Sequence, residues 1–204
     1  PAEELARLQA LVGPERVLVD EGARTIAFDR PGVRVDLDGL NKGVAVDRVL
    51  DRLRAAGVTD AVVSAGGSTI GSIGPPPGRP AHRVAIEGPD GAVHARIALR
   101  DAVLSTSGAW RRAAPLDGRE AGPIFDPRTG EPADGEIVSA TVIAPRGDES
   151  EAYAKAALVL GIDGARQLLR EHPELGIALL LRDPPGGDGL RAELFGTAAD
   201  PGPR

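Results

Sequence analysis

The sequence predicts an α+β fold in which a mixed sheet packs with helices. Apolar runs typical of strands occur before, between and after segments with helical spacing, and this order favours a sheet covered by helices. About 42% of the 204 residues are hydrophobic but only 2% are aromatic, so Val, Leu, Ile and Ala must build the core. The length suits one domain over residues 1–204, with 184–204 expected as a loose C-terminal strand and tail.

Apolar residues at spacings of three and four predict the helices. In chain order they cover 2–12, 42–56, Glu149–Leu160 and Ile162–Arg170. The second is the most regular, and Gly57 after it supplies the left-handed residue that commonly ends a helix. Gly161 separates the last two helices in the same way.

Alternating or continuous apolar runs between turn residues predict the strands. In chain order they cover Val17–Val19, Arg24–Phe28, Val33–Leu37, Ala61–Ser64, Arg83–Glu87, Val93–Leu99, Ala102–Ser105, Ile137–Ile143, Gly176–Leu181 and Leu190–Phe195. The first two predict a hairpin, 61–64 a buried strand, and the three runs between 83 and 105 a meander. The last run is expected to pair with the strand at 176–181.

Composition excludes several functional classes. The chain has no cysteine, which removes disulfide scaffolds, zinc ribbons and thiol nucleophiles, and its 3 histidines are too few for a multi-histidine metal site. No apolar stretch approaches the roughly 20 residues that span a bilayer. The net charge of −6, without a basic cluster, argues against nucleic acid as the main partner.

The segment 35-VDLDGLNKGVAVD-47 is the first candidate for a ligand site. A predicted strand ends near Asp36, and a helix begins near Lys42. Free backbone N–H groups at a helix start, with a lysine beside them, suit a phosphate or a pyrophosphate. The spacing is not that of a Walker loop. The alternative is an ordinary strand–loop–helix corner in which Lys42 and Asp47 are solvated.

Three further segments could contribute to a site, although each is weak evidence by itself. They are 64-SAGGSTIGSIG-74, 104-LSTSGAWRR-112 and 123-PIFDPRTGEP-132. Glycines permit close backbone approach to a ligand, but Asp-Pro and Thr-Gly also make good turns without any ligand. Trp110 could stack on an aromatic ring of a ligand, or fill the core.

The order and spacing of these segments resemble the ApbE family of flavin transferases, the FAD:protein FMN transferases. The resemblance runs over about residues 1–183 and rests on an ordered set of short motifs. They are DLDGLNKG at 36–43, AVD at 45–47, SAGGS at 64–68, TSG at 106–108, PIFDPRTG at 123–130, SATV at 139–142, EAYAK at 151–155 and LVLG at 158–161.

The resemblance implies an enzyme that uses FAD and a divalent metal such as magnesium. It transfers the FMN part of FAD to a threonine or serine hydroxyl of a target protein, and AMP leaves. The implied flavin contacts are Asp36, Lys42, Asp47, Ser107, Pro123 and Ile124. The implied metal positions are the carbonyl of Gly39 and the side chains of Glu151 and Lys155.

Three positions depart from the family pattern. Pro123 replaces a histidine, which leaves the catalytic residue unassigned, and Glu151 replaces a metal-binding aspartate. Lys155 replaces a metal-binding threonine, and an ammonium has no acceptor with which to bind a metal. We expect Lys155 to take the place of the cation and to neutralise Glu151, four residues earlier on one helix face. The chain then binds no divalent metal there; the alternative is that Lys155 points to solvent.

The resemblance also implies that the N-terminal portion of the family is absent here, so that another chain would have to complete the flavin pocket. Two functional hypotheses follow. The first is an FAD:protein FMN transferase with a flavin-accepting protein as its partner. The second is a non-catalytic homologue that binds flavin weakly or serves as a partner subunit.

Overall fold

The computed structural model describes residues 2–109, 114–116, 119–133, 135–185 and 187–199. Within these residues the chain forms three α-helices: α1 (Ala2–Gln9), α2 (Asn41–Ala55) and α3 (Gly147–Glu171). The strands are β1 (Val17–Asp20), β2 (Thr25–Phe28), β3 (Ala61–Ala65), β4 (Thr69–Ile73), β5 (His82–Glu87), β6 (Val93–Leu99), β7 (Val103–Gly108), β8 (Ala114–Leu116), β9 (Arg119–Ala121), β10 (Ile137–Ala144), β11 (Gly176–Arg182) and β12 (Leu190–Gly196).

A six-stranded antiparallel sheet in the order β12-β11-β10-β7-β4-β3 forms the centre of the fold. Every residue of β10 is buried, as are the first six of β11. These strands are continuous apolar or small-residue runs because both of their faces are covered.

Helices α2 and α3 cover one face of the sheet, and the β5–β6 hairpin covers the other. On the helix side, Ala154 and Leu158 of α3 pack with Val142 and Leu179 of the sheet. On the hairpin side, Ile97 packs with apolar residues of β7, β10 and β11. The fold therefore has three layers, and the segments that resemble the family motifs gather mainly on the helix side.

The two long helices cross at a pair of glycines. A Cβ atom on Gly43 would lie 2.2 Å from the carbonyl oxygen of Gly147, and one on Gly147 would lie 2.5 Å from the carbonyl oxygen of Gly43. Such contacts are far inside van der Waals distance, so the crossing requires glycine at both positions. The close approach brings the start of α2, with Lys42, against α3.

The structure confirms the α+β class, the helix at α2 and the division of the last helical segment. Gly57 has φ 79° after α2, and Gly161 has φ 78° where the helical path of α3 is interrupted. The sheet was expected to be mixed, yet its described pairings are all antiparallel. The reason is that the chain returns after α3 to the end of β10 at which it left, so that Gly176 pairs with Ile143.

Several predicted strands need correction. Residues 33–37 form no strand, because Asp36 bonds locally to the backbone N–H of Asp38 and turns the chain. The run at 61–64 was predicted as a buried strand, but it belongs to β3 at the edge of the sheet, where Val62 is 49% exposed. The meander is wrong as well, since β5 and β6 pair only with each other among the described strands and β7 joins the main sheet. Strand β4 was missed because the four glycines in and around it, at 66, 67, 71 and 74, indicated a loop.

The C-terminal segment contributes to the sheet. Strand β12 pairs with β11 along its whole length, from Gly176 opposite Gly196 to Arg182 opposite Leu190. Helix α1 ends at Gln9, short of the predicted residue 12. Among the described residues, none of the helices is both long and apolar enough to cross a membrane.

Candidate functional site

A fully buried carboxylate lies at the centre of the candidate site. Glu151, in the second turn of α3, has 0% exposure. Its Oε1 atom accepts a hydrogen bond from Thr69 Oγ1 at 2.8 Å and lies 2.9 Å from Lys42 Nζ. A buried charge is costly unless it is paired, and Lys42 supplies the pairing charge from a side chain that is 41% exposed. Oε2 of Glu151 has no hydrogen-bond partner among the described residues.

Lys155 lies one helical turn after Glu151 and directs its ammonium at two backbone carbonyls. Nζ donates to Gly39 O at 2.6 Å and to Glu151 O at 3.2 Å. Burial lowers the pKa of Lys155 below its usual value; the carboxylate of Glu151 opposes this effect and Lys42 adds to it. The lysine is half-buried and does not point freely into solvent.

The expected direct pairing of Lys155 with the Glu151 carboxylate is therefore corrected. The carboxylate pairs instead with Lys42, which belongs to another helix, while the Gly39 carbonyl holds the Lys155 ammonium. A Cβ on Gly39 would lie 3.0 Å from Lys155 Cε, so the loop and the lysine pack tightly. The spacing of Glu151 and Lys155 along one helix could not show that the Lys155 ammonium bonds to the carbonyl of Gly39, which lies in a loop far away in the sequence.

The residues at this place do not fit the magnesium ion that the family implies. Magnesium requires near-octahedral oxygen ligation, yet Gly39 O accepts from an ammonium and Lys155 has no acceptor. Oε2 of Glu151 is the one oxygen of these three positions without a described partner. In the described chain, no group of three or more His, Cys, Asp or Glu side chains is placed to hold a metal ion.

Hydroxyl groups lie behind the carboxylate on the helix side of the sheet. Thr69 Oγ1 lies 3.2 Å from Ser105 Oγ. Because side chains alternate along a strand, Ser107 faces the same side of β7 as Ser105, and it is also buried. Sequence reasoning missed Thr69, although its place two residues after the Gly66-Gly67 pair was a usable signal. A Cβ on Gly66 would lie 3.8 Å from Lys42 Cδ, so this turn adjoins the lysine.

Asp47 joins the two long helices. Its Oδ1 accepts the backbone N–H of Gly147 at 2.8 Å, so the carboxylate lies at the start of α3. A carboxylate at this end of a helix accepts a hydrogen bond from a free N–H group. Its negative charge is also attracted to the partial positive charge at the N-terminus of the helix. The alternative in which Asp47 is a solvated residue of a strand–loop–helix corner is therefore wrong. Its carboxylate holds the start of α3 against α2.

The remaining implied flavin contacts lie in exposed loops. Asp36 is exposed, and its Oδ1 accepts the N–H of Asp38 at 2.8 Å. Pro123 is also exposed, while Ile124 packs partly against the apolar cluster below α3. No described side-chain contact joins Asp36 or Pro123 to the Lys42–Glu151 pair. Trp110 lies outside the described residues.

Known proteins resemble this chain over most of its length. The ApbE family model matches residues 1–179. An FAD:protein FMN transferase of Klebsiella pneumoniae is 31% identical over 195 residues, which cover 93% of this chain and 54% of that protein. The Escherichia coli K12 protein of the same name is 31% identical over 175 residues, covering 83% of this chain and 50% of that protein. The chain thus spans about half the length of these curated relatives.

Solved structures show the same fold. The flavin transferase ApbE from Vibrio cholerae superposes with a TM-score of 0.80 at 26% identity, covering 97% of this chain and 61% of that one. The ApbE protein from Thermotoga maritima gives a TM-score of 0.80 at 27% identity, covering 94% of this chain and 61% of that one. Since the family model covers most of the sequence, the chain belongs to the ApbE family.

Proposed function

We propose that this chain carries an FAD site at which the FMN part of FAD is transferred to a threonine or serine hydroxyl of a target protein. The observation that carries the proposal is the position of Lys42. This lysine lies in the first turn of α2, adjoins the glycine turn after β3 and is paired with the buried Glu151. An accessible ammonium beside close-approach glycines suits the diphosphate of FAD. Curated relatives named FAD:protein FMN transferase support the same reading.

The proposed reaction is a phosphoryl-type transfer. The hydroxyl oxygen of the target attacks the phosphorus of the FMN part, and the P–O bond to the AMP part breaks. AMP departs with the bridging oxygen, and the hydroxyl proton is released to a base. Catalysis of such transfers depends mainly on positioning and charge neutralisation. Lys42 supplies positive charge at the diphosphate, while Pro123 offers no group that accepts the proton.

The proposal is tested by incubating the 204-residue chain with FAD and a threonine-bearing target peptide, with magnesium and separately with EDTA. We expect covalent flavin fluorescence on the peptide, with AMP released in equal amount. A peptide with valine in place of the threonine is the control for the acceptor. Lys42→Met should lower the rate at least tenfold. FAD binding without attachment or AMP release in either buffer contradicts the transferase and supports a non-catalytic flavin-binding homologue.

A further inference from the structure

Lysine is used very selectively in this chain. Of the 24 lysines and arginines, only Lys42 and Lys155 are lysines. They lie 113 positions apart in the sequence, in α2 and α3, yet both contact Glu151. Lys42 approaches the carboxylate, and Lys155 the backbone carbonyl of the same residue. A compact ammonium, rather than the guanidinium used elsewhere, is thus placed twice at one site.

The charges of this cluster do not cancel. Glu151 supplies one negative charge, which its contact with Lys42 neutralises. Lys155 contacts two carbonyl oxygens, which are dipoles and not charges, so its own positive charge remains. An ammonium has three N–H donors, and two of them are directed at these carbonyls. The cluster of Glu151, Lys42 and Lys155 therefore carries a net charge of +1, which favours an anion at the exposed side of Lys42.

We propose that Lys155 is a built-in cation that stands in for a divalent metal, and that Lys42 and Lys155 together bind a diphosphate group without any metal. That the anion is a diphosphate rests on the proposed function. A divalent cation would have to displace Lys155 from Gly39 O, at 2.6 Å, and would then be repelled by both ammonium groups. The lysine is tethered and already desolvated in part, so no separate ion has to be captured.

The first test measures binding of inorganic pyrophosphate in EDTA by calorimetry. We expect the unmodified chain to bind it, and Lys155→Met to weaken binding at least tenfold. Arg54→Met removes one positive charge from the exposed end of α2, where the arginine pairs only with Asp51 among the described residues. This control should bind within twofold of the unmodified chain. An unmodified chain that does not bind pyrophosphate in EDTA, or a Lys155→Met variant that binds equally well, overturns the proposal.

The second test is made on the unmodified chain, and a variant is needed only to assign any manganese that binds. Acylation of lysines followed by mass spectrometry reports on Lys42 and Lys155 alone, and pyrophosphate in EDTA should slow the labelling of both. Electron paramagnetic resonance with Mn²⁺ should show no ion bound by the chain. Bound manganese that is lost in Glu151→Gln, or labelling unchanged by pyrophosphate, contradicts the proposal.

The outcomes separate this proposal from the proposed function. Metal-independent pyrophosphate binding that requires Lys155, together with no flavin transfer under any condition, leaves the built-in cation intact and removes the transferase. Flavin transfer that occurs with magnesium and stops in EDTA supports the transferase and overturns the built-in cation.

Discussion

The candidate site has two parts, which differ in whether their residues contact other elements of the fold. The inner part consists of Glu151, Lys42, Thr69, Lys155 and Gly39, whose contacts run between α2, α3, β4 and the loop before α2. The outer part consists of Asp36 and Pro123, which are exposed. Asp36 bonds only within its own loop among the described contacts. The sequence motifs indicated residues of both parts, although not Thr69, yet only the inner part is built into the packing.

This difference separates stability from ligand binding. A change in the inner part leaves buried polar groups without partners, so it should lower the free energy of unfolding as well as ligand affinity. A change in the outer part exposes nothing and should affect ligand binding alone. Measuring both quantities for each variant therefore tests the comparison.

The largest effect is expected for Glu151→Ala. The change opens a cavity in a fully buried place and leaves Lys42 and Thr69 without their acceptor. Breaking a buried ion pair typically costs about 3–5 kcal/mol, and the partial exposure of Lys42 favours the lower end. Urea unfolding measures the change. Glu171→Ala, on an exposed turn of the same helix beside Gln167, is the control and should cost only a few tenths of a kcal/mol. Equal losses in the two variants would contradict the buried role of Glu151.

Gly43→Ala is the next largest. The added methyl group would meet the carbonyl of Gly147 at 2.2 Å, and backbone cannot move aside as a flexible side chain can. Overpacking of this kind costs about 1–3 kcal/mol. Because α2 must shift, we also expect Lys42 to lose its contact with Glu151 and FAD affinity to fall.

The control for Gly43→Ala is Gly135→Ala, where an added methyl group has no neighbour within 4 Å. Thermal unfolding compares the two variants. A Gly43→Ala chain as stable as the Gly135→Ala chain would show that the helices separate without cost.

Sequence reasoning reached the elements whose signals are local. Regular apolar spacing and Gly57 fixed α2, and Gly161 marked the break in α3, because each depends on neighbouring residues. The path of the 33–37 segment and the identity of β4 were wrong, since strand formation depends on partners far along the chain. The same limit applied to the site: the positions of Glu151 and Lys155 were predicted, whereas the contacts of Lys42 and Thr69 with Glu151 required the packed fold.

Asp47→Ala should have an intermediate effect. The variant loses the carboxylate that accepts the N–H of Gly147 at the start of α3, and loss of such a helix cap costs about 1 kcal/mol. Asp51, one turn later in α2, is the control, because its side chain is 76% exposed and its described partner is Arg54. Urea unfolding should place Asp51→Ala within about 0.5 kcal/mol of the unmodified chain. If Asp47→Ala were equally harmless, the link between the helices would rest on the glycine contact alone.

The smallest effect on stability is expected for Asp36→Ala, which tests the outer part. Its Oδ1 accepts one N–H two residues ahead in an exposed loop, and water can replace this bond. We expect a loss below about 0.5 kcal/mol, as is usual for exposed surface positions, but weaker FAD binding in a fluorescence titration. Asp20→Ala is the matched control, because Asp20 Oδ1 makes the same kind of bond to the N–H of Ala23 in the β1–β2 hairpin. Equal FAD affinity in these two variants would remove Asp36 from the flavin site and leave the inner part as the ligand-binding region.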